Sequence, residues 1–98
     1  MKTLFVLIAF AAMTQTQAFS CKQYEAQVIG KVISKTIDEN GECALRVSLW
    51  QVNEHIMCPL SKGEIESTEI TGSYSCSFES GDDFSGIVVN DGKTTFLD

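Results

Sequence analysis

Apolar and polar residues alternate from Tyr24 to Ile37, a run rich in Val and Ile, and this period of two predicts a β-strand. One face of the strand would carry Ile29, Lys31, Ile33, Lys35 and Ile37, and the other Val28 and Val32, so both faces hold apolar side chains. Gly30 interrupts the run, as a glycine does at a bulge, a sharp bend or a close packing contact. Asp38-Glu39-Asn40-Gly41-Glu42 forms a polar turn. Cys43 to Val52 then alternates again, with Cys43, Leu45, Val47 and Leu49 on one face and Arg46, Ser48 and Trp50 on the other. These two runs predict an antiparallel hairpin. With Ile37 opposite Cys43, an unbroken register sets Gly30 against Trp50, whose ring would cover the missing side chain, and brings Cys21 near Cys58.

Leu60-Ser61-Lys62-Gly63-Glu64-Ile65 reads as a helix start: Ser61 is the N-cap, Glu64 its reciprocal capping-box partner, and Leu60 packs on Ile65 as a staple. Gly63 and the β-branched Thr68, Ile70 and Thr71 weaken the helix, which limits the prediction to one short element ending near Gly72. Tyr74, Cys76 and Phe78 alternate as a short strand. Phe84 to Val89 and Thr94 to Leu97 flank Asn90-Asp91-Gly92-Lys93, where Asp-Gly favours a primed hairpin turn. The order is two long strands, a short helix, a short strand and a hairpin. It predicts a mainly β domain, a small five-stranded, partly open barrel with an OB-like layout.

Ahead of this domain stand Lys2, an apolar run from Leu4 to Met13, polar Thr14 to Gln17 and small Ala18, the parts of a cleaved secretory signal peptide over residues 1–18. The apolar run is far short of the roughly 20 residues that span a bilayer as a helix. Cleavage after Ala18 leaves residues 19–98 as a single domain, and cleavage after Ser20 would leave Cys21 first. Bulky Phe19 argues against a lipid-anchored Cys21. The expected location is exported, periplasmic or extracellular.

A single core of this size rarely supplies more than about 3–5 kcal/mol, so covalent staples matter. Cys21, Cys43, Cys58 and Cys76 form an even set in an exported chain and read as two disulfides. Of the three possible pairings, the hairpin register favours Cys21–Cys58 with Cys43–Cys76. Thirteen acidic residues against seven cations give a net charge of −6. Such a surface keeps a small protein soluble, repels phosphates and favours cationic partners. The cations Lys31, Lys35 and Arg46 are few and surrounded by acids, so no nucleic acid is expected as a partner.

Candidate chemistry is sparse. His55 is the sole histidine, no G-x-S-x-G elbow occurs, and Gly72-Ser73-Tyr74-Ser75-Cys76 lacks the closing glycine. No C-x-x-C motif offers disulfide exchange, and His55 with Cys58 lacks two further ligands for zinc. Asp38, Asn40 and Glu42 alternate like the start of a calcium loop, but Leu49 stands where the bidentate Glu belongs, and a turn explains the same letters. Glu79, Asp82 and Asp83 form an acidic cluster on a loop. No cofactor or metal is expected.

The reading that follows is an exported, non-catalytic binding or inhibitor module whose partner is a protein or other macromolecule, with Trp50 and Tyr74 as candidate contacts. Its rivals are a small carboxylate-dependent hydrolase using Asp82 and Asp83, and a structural envelope component. A free N-terminal Cys21 on an OB-like barrel would be similar to the tissue inhibitors of metalloproteinases, but Cys21-Lys22-Gln23 lacks their C-x-C opening. Gln27-Val28-Ile29-Gly30 is likewise one residue short of the cystatin Q-x-V-x-G loop.

Overall fold

The structure is a computed structural model that describes residues 21–98. The signal-peptide reading of residues 1–18 and cleavage after Ala18 or Ser20 lie outside the described residues. Strands β1 (Tyr24–Ile37) and β2 (Cys43–Glu54) are followed by helix α1 (Lys62–Glu66), strand β3 (Ile70–Thr71), a 3-10 segment (Ser73–Ser77), and strands β4 (Asp83–Asn90) and β5 (Thr95–Leu97). The five strands close into a barrel in the order β1-β2-β3-β5-β4, with β1 pairing antiparallel to both β2 and β4 and β3 pairing parallel to β5. This is the mainly β, OB-like layout with one short helix, and the ring is closed. Its thinnest steps flank β3, which one residue pair joins to β2 and two join to β5.

A five-stranded barrel has a narrow bore, and the face of β1 that turns inward is the one with only small apolar residues, while Gln27 and Lys31 stay outside. Ala26, Val28, Gly30 and Val32 face the interior and the larger Ile29 and Ile33 face out, whereas Ile37, paired with the buried Cys43 beyond the Ile33 bulge, is exposed at the end of the strand. The valines pack with Leu45, Val47 and Leu49 of β2, Ile70 of β3, and Phe84 and Val88 of β4. Leu60 and Ile65 join this core from the helix side. Phe78 closes in against Phe84, ring centroids 5.1 Å apart.

Ile37 pairs with Cys43, yet the hairpin register is not continuous. It slips once between Val32 and Ser34, leaving Ile33 without a partner, and once between Ile29 and Gly30, leaving Trp50 without one. Gly30 therefore pairs with Leu49 and not with Trp50, and the Trp50 ring does not cover it. What Gly30 accommodates is backbone: a Cβ there would run into the Ser48 carbonyl oxygen and lie 2.8 Å from Leu49 Cδ2. Bulges increase local twist, and a strand pair this long needs that twist to curl into a small barrel.

The third strand is displaced from its predicted place. Tyr74, Cys76 and Phe78 do not form a strand; Ser73–Ser77 is a 3-10 segment, and β3 is Ile70–Thr71, inside the stretch expected to be helical. The β-branched pair suits an extended backbone, and the buried Ser75 hydroxyl donates to the Ile70 carbonyl at 2.9 Å, holding the chain in a turn directly after β3. The helix is correspondingly short. Its capping box is present, with Ser61 Oγ accepting from the Glu64 N–H at 3.2 Å and the Glu64 carboxylate accepting from the Ser61 N–H at 3.4 Å.

Both disulfides join Cys21 to Cys58 and Cys43 to Cys76, with Cα atoms 5.7 and 5.1 Å apart. They pin opposite ends of the β1–β2 hairpin: one ties the segment before β1 to the segment after β2, the other ties the start of β2 to the 3-10 segment. Two such bridges are typical of exported proteins. No helix among the described residues is long and apolar enough to cross a membrane.

Candidate functional site

Trp50 lies on the outer wall of the barrel and is 61% exposed. As the extra residue of its bulge, it is inserted between the partners of Gly30 and Ile29, Leu49 and Gln51. Ile29 is therefore its cross-strand neighbour on the outer face. On the other side of β1, Ile87 of β4 stands opposite Gln27, two residues before Ile29 on the same face. Diagonal neighbours of this kind lie about 7–8 Å apart. Trp50, Ile29 and Ile87 thus form an apolar band across three hydrogen-bonded strands, a surface whose backbone is rigid.

The band leads into a groove of about 590 Å³ at the Cys21–Cys58 end of the barrel, lined by Glu25, Glu54, His55, Ile56, Met57 and Ile87, among others. Its far wall is the loop after β2. That loop is tied at several points: the His55 N–H donates to the Glu25 carbonyl at 3.0 Å, the Glu25 N–H donates to the Cys58 carbonyl at 3.0 Å, and Cys58 is covalently held by Cys21. His55 Nδ1 accepts from the N–H groups of both Met57 and Cys58, at 3.1 and 3.0 Å. The imidazole is a turn-former bonded to backbone N–H groups, and its Nε2 faces Glu25 Oε1 at 3.9 Å. Held this way, Ile56 is 94% exposed and Met57 57%. Sequence reasoning passed over Ile56, Met57 and Ile87. The available signal was a pair of bulky apolar residues in an otherwise polar connection between Glu54 and Cys58.

Tyr74 is also exposed, at 60%, but belongs to another part of the surface. It sits two residues from Cys76, hence at the Cys43 end of β2, and Trp50 is seven residues further along that strand, about 23 Å in extended chain. The two aromatic side chains do not share a site.

Asp38, Glu79 and Asp82 are occupied with local structure. Asp82 Oδ2 accepts from the Glu79 N–H at 2.8 Å, and Glu79 pairs with Lys35 Nζ at 2.9 Å. Asp83 stands opposite Lys31 in the β1–β4 register. Asp38 Oδ1 accepts from the N–H groups of Asn40 and Glu42 at 2.8 and 2.9 Å, closing the β1–β2 turn. Among the described residues no group of three or more His, Cys, Asp or Glu side chains is arranged to hold a metal ion. Every cysteine among them is in a disulfide.

Comparison with protein-family models, curated proteins and solved structures gives no match.

Proposed function

We propose that the protein is an exported, non-catalytic binding module that meets a protein partner through the apolar band of Trp50, Ile29 and Ile87. One observation carries the reading: a tryptophan held out to solvent on a bulge of a rigid, disulfide-pinned sheet, with aliphatic side chains beside it on the same wall. Trp is over-represented among residues that dominate binding energy, and a rigid backbone lowers the entropy lost on association. The acidic loop lends no weight to the hydrolase alternative, because Asp82 is engaged in a turn-forming bond, Glu79 in an ion pair with Lys35, and Asp83 stands opposite Lys31. An inhibitor is one form such a module takes.

The reading is tested by immobilising the disulfide-bonded protein and its Trp50→Ala variant and comparing what each retains from the producing cell's envelope and surroundings. A protein held by the parent and released from the variant is the expected result. Identical retention by both, for every protein detected, rejects the band as a contact surface.

A further inference from the structure

Three features coincide at the groove beside Cys21–Cys58. Its wall presents Ile56 and Met57 to solvent from a loop secured by backbone hydrogen bonds, the His55 imidazole and a disulfide. A tethered backbone lowers the ordering cost of contact, so apolar side chains presented from it are suited to gain affinity. Its rim carries two carboxylates, Glu25 and Glu54, and neither has a Lys or Arg partner among the described residues. Among the described residues the only basic group in ion-pair range of either is His55, whose Nε2 stands 3.9 Å from Glu25 Oε1.

We propose that this groove takes a segment of a partner protein in which an aliphatic or aromatic side chain is flanked by lysine or arginine. The inference rests on the binding-module reading above and specifies the chemistry of the partner. An apolar side chain fills the space against Ile56, Met57 and Ile87, while the flanking cations meet Glu25 and Glu54. A second copy of this chain is a poor occupant. Apposing two such grooves about a two-fold axis would bring the Glu25 and Glu54 pairs of both copies together, and like charges across an interface oppose association. The chain's net charge of −6 adds long-range attraction for a cationic segment.

The test titrates the disulfide-bonded protein into a short fluorescein-labelled peptide of alternating leucine and lysine, at physiological ionic strength, and reads anisotropy. Leucine–glutamate and serine–lysine peptides of equal length run beside it. The leucine–lysine peptide should bind at least about tenfold tighter than either control. Glu25→Gln combined with Glu54→Gln should weaken it by about tenfold, as should Ile56→Ser, an exposed position where circular dichroism should find the fold intact. Glu39→Gln combined with Glu42→Gln, at the opposite end of the hairpin, should leave the affinity unchanged. Equal binding of the serine–lysine peptide, or equal weakening by the distant pair, overturns the proposal in favour of general attraction to an acidic surface. Equal binding of leucine–glutamate removes the role of the carboxylates. Sedimentation that shows a dimer abolished by Ile56→Ser gives the groove to a second copy. If no peptide binds while Trp50-dependent retention persists, the groove chemistry is wrong and the binding module stands; if both fail, the module itself is rejected.

Discussion

Ile33 on β1 and Trp50 on β2 are the two residues of the long hairpin without a cross-strand partner, and their bulges cancel. The first slips the register by one and the second restores it, so the pairing that begins with Ile37–Cys43 ends with Ala26–Glu54, as an unbroken ladder would. That restoration lets Cys21 reach Cys58 although the middle of the hairpin is out of step. Between the bulges, Gly30 meets Leu49 in place of Trp50, and the tryptophan is left on the outside.

The bulges predict a sharp contrast between sequence neighbours. Ile33→Ser and Trp50→Ser should each change the unfolding free energy by no more than about 0.5 kcal/mol, since both side chains are exposed. Leu49→Ala, one position from Trp50, should cost about 2–5 kcal/mol because it opens a cavity in the core. Urea denaturation of the three variants decides this. Trp50 emission in the native parent should be red-shifted and readily quenched by iodide or acrylamide; a blue-shifted, protected tryptophan contradicts the outward bulge.

Gly30 should be intolerant of any side chain. Gly30→Ala forces a Cβ against the Ser48 carbonyl oxygen and the Leu49 backbone, both part of the partner strand and unable to swing away. A loss of roughly 1–3 kcal/mol is expected, the range of overpacked cores. A variant as stable as the parent would show that the two strands approach less closely.

Each disulfide closes a long loop, with sequence separations of 37 and 33 residues, and on the chain-entropy account each stabilises by about 3–4 kcal/mol. Cys21→Ser with Cys58→Ser, and separately Cys43→Ser with Cys76→Ser, should each lower the denaturation midpoint by a corresponding amount. Titration of the parent with a thiol reagent should find no reactive sulfhydryl. Four reactive thiols in native material, with an unchanged melting temperature on adding reductant, would refute the role of the bridges.

Asp91 supplies a pH signature. Its Oδ1 accepts from the Thr94 and Lys93 N–H groups, each at 2.9 Å, and these bonds, Thr94's first, hold its carboxyl below the ordinary value of 3.8. A depressed folded value means that the contribution is complete above 3.8 and fades as the pH falls below it through the folded value. Asp91→Ala should therefore melt below the parent at neutral pH, with the gap narrowing in acid. A gap independent of pH would assign the difference to something other than the carboxylate.

What the sequence determined by itself is local. Alternation placed β1, β2 and the final hairpin, the capping box placed the helix start, Asp38 and Asp91 placed turns, and the register of Ile37 with Cys43 pointed to the disulfide pairing that is present. These signals depend on residues a few positions apart, so they are readable in a linear chain. Tertiary structure decided where the alternation of β1 breaks, because the bulges at Ile33 and Trp50 exist only in the pairing of β1 with β2. It also decided that Ile70–Thr71 would be the third strand, since β3 exists only where β2 and β5 are there to pair with it. The groove of Ile56, Met57 and Ile87 arose the same way: its two sides are far apart in the chain, and no local pattern encodes the closure that brings them together.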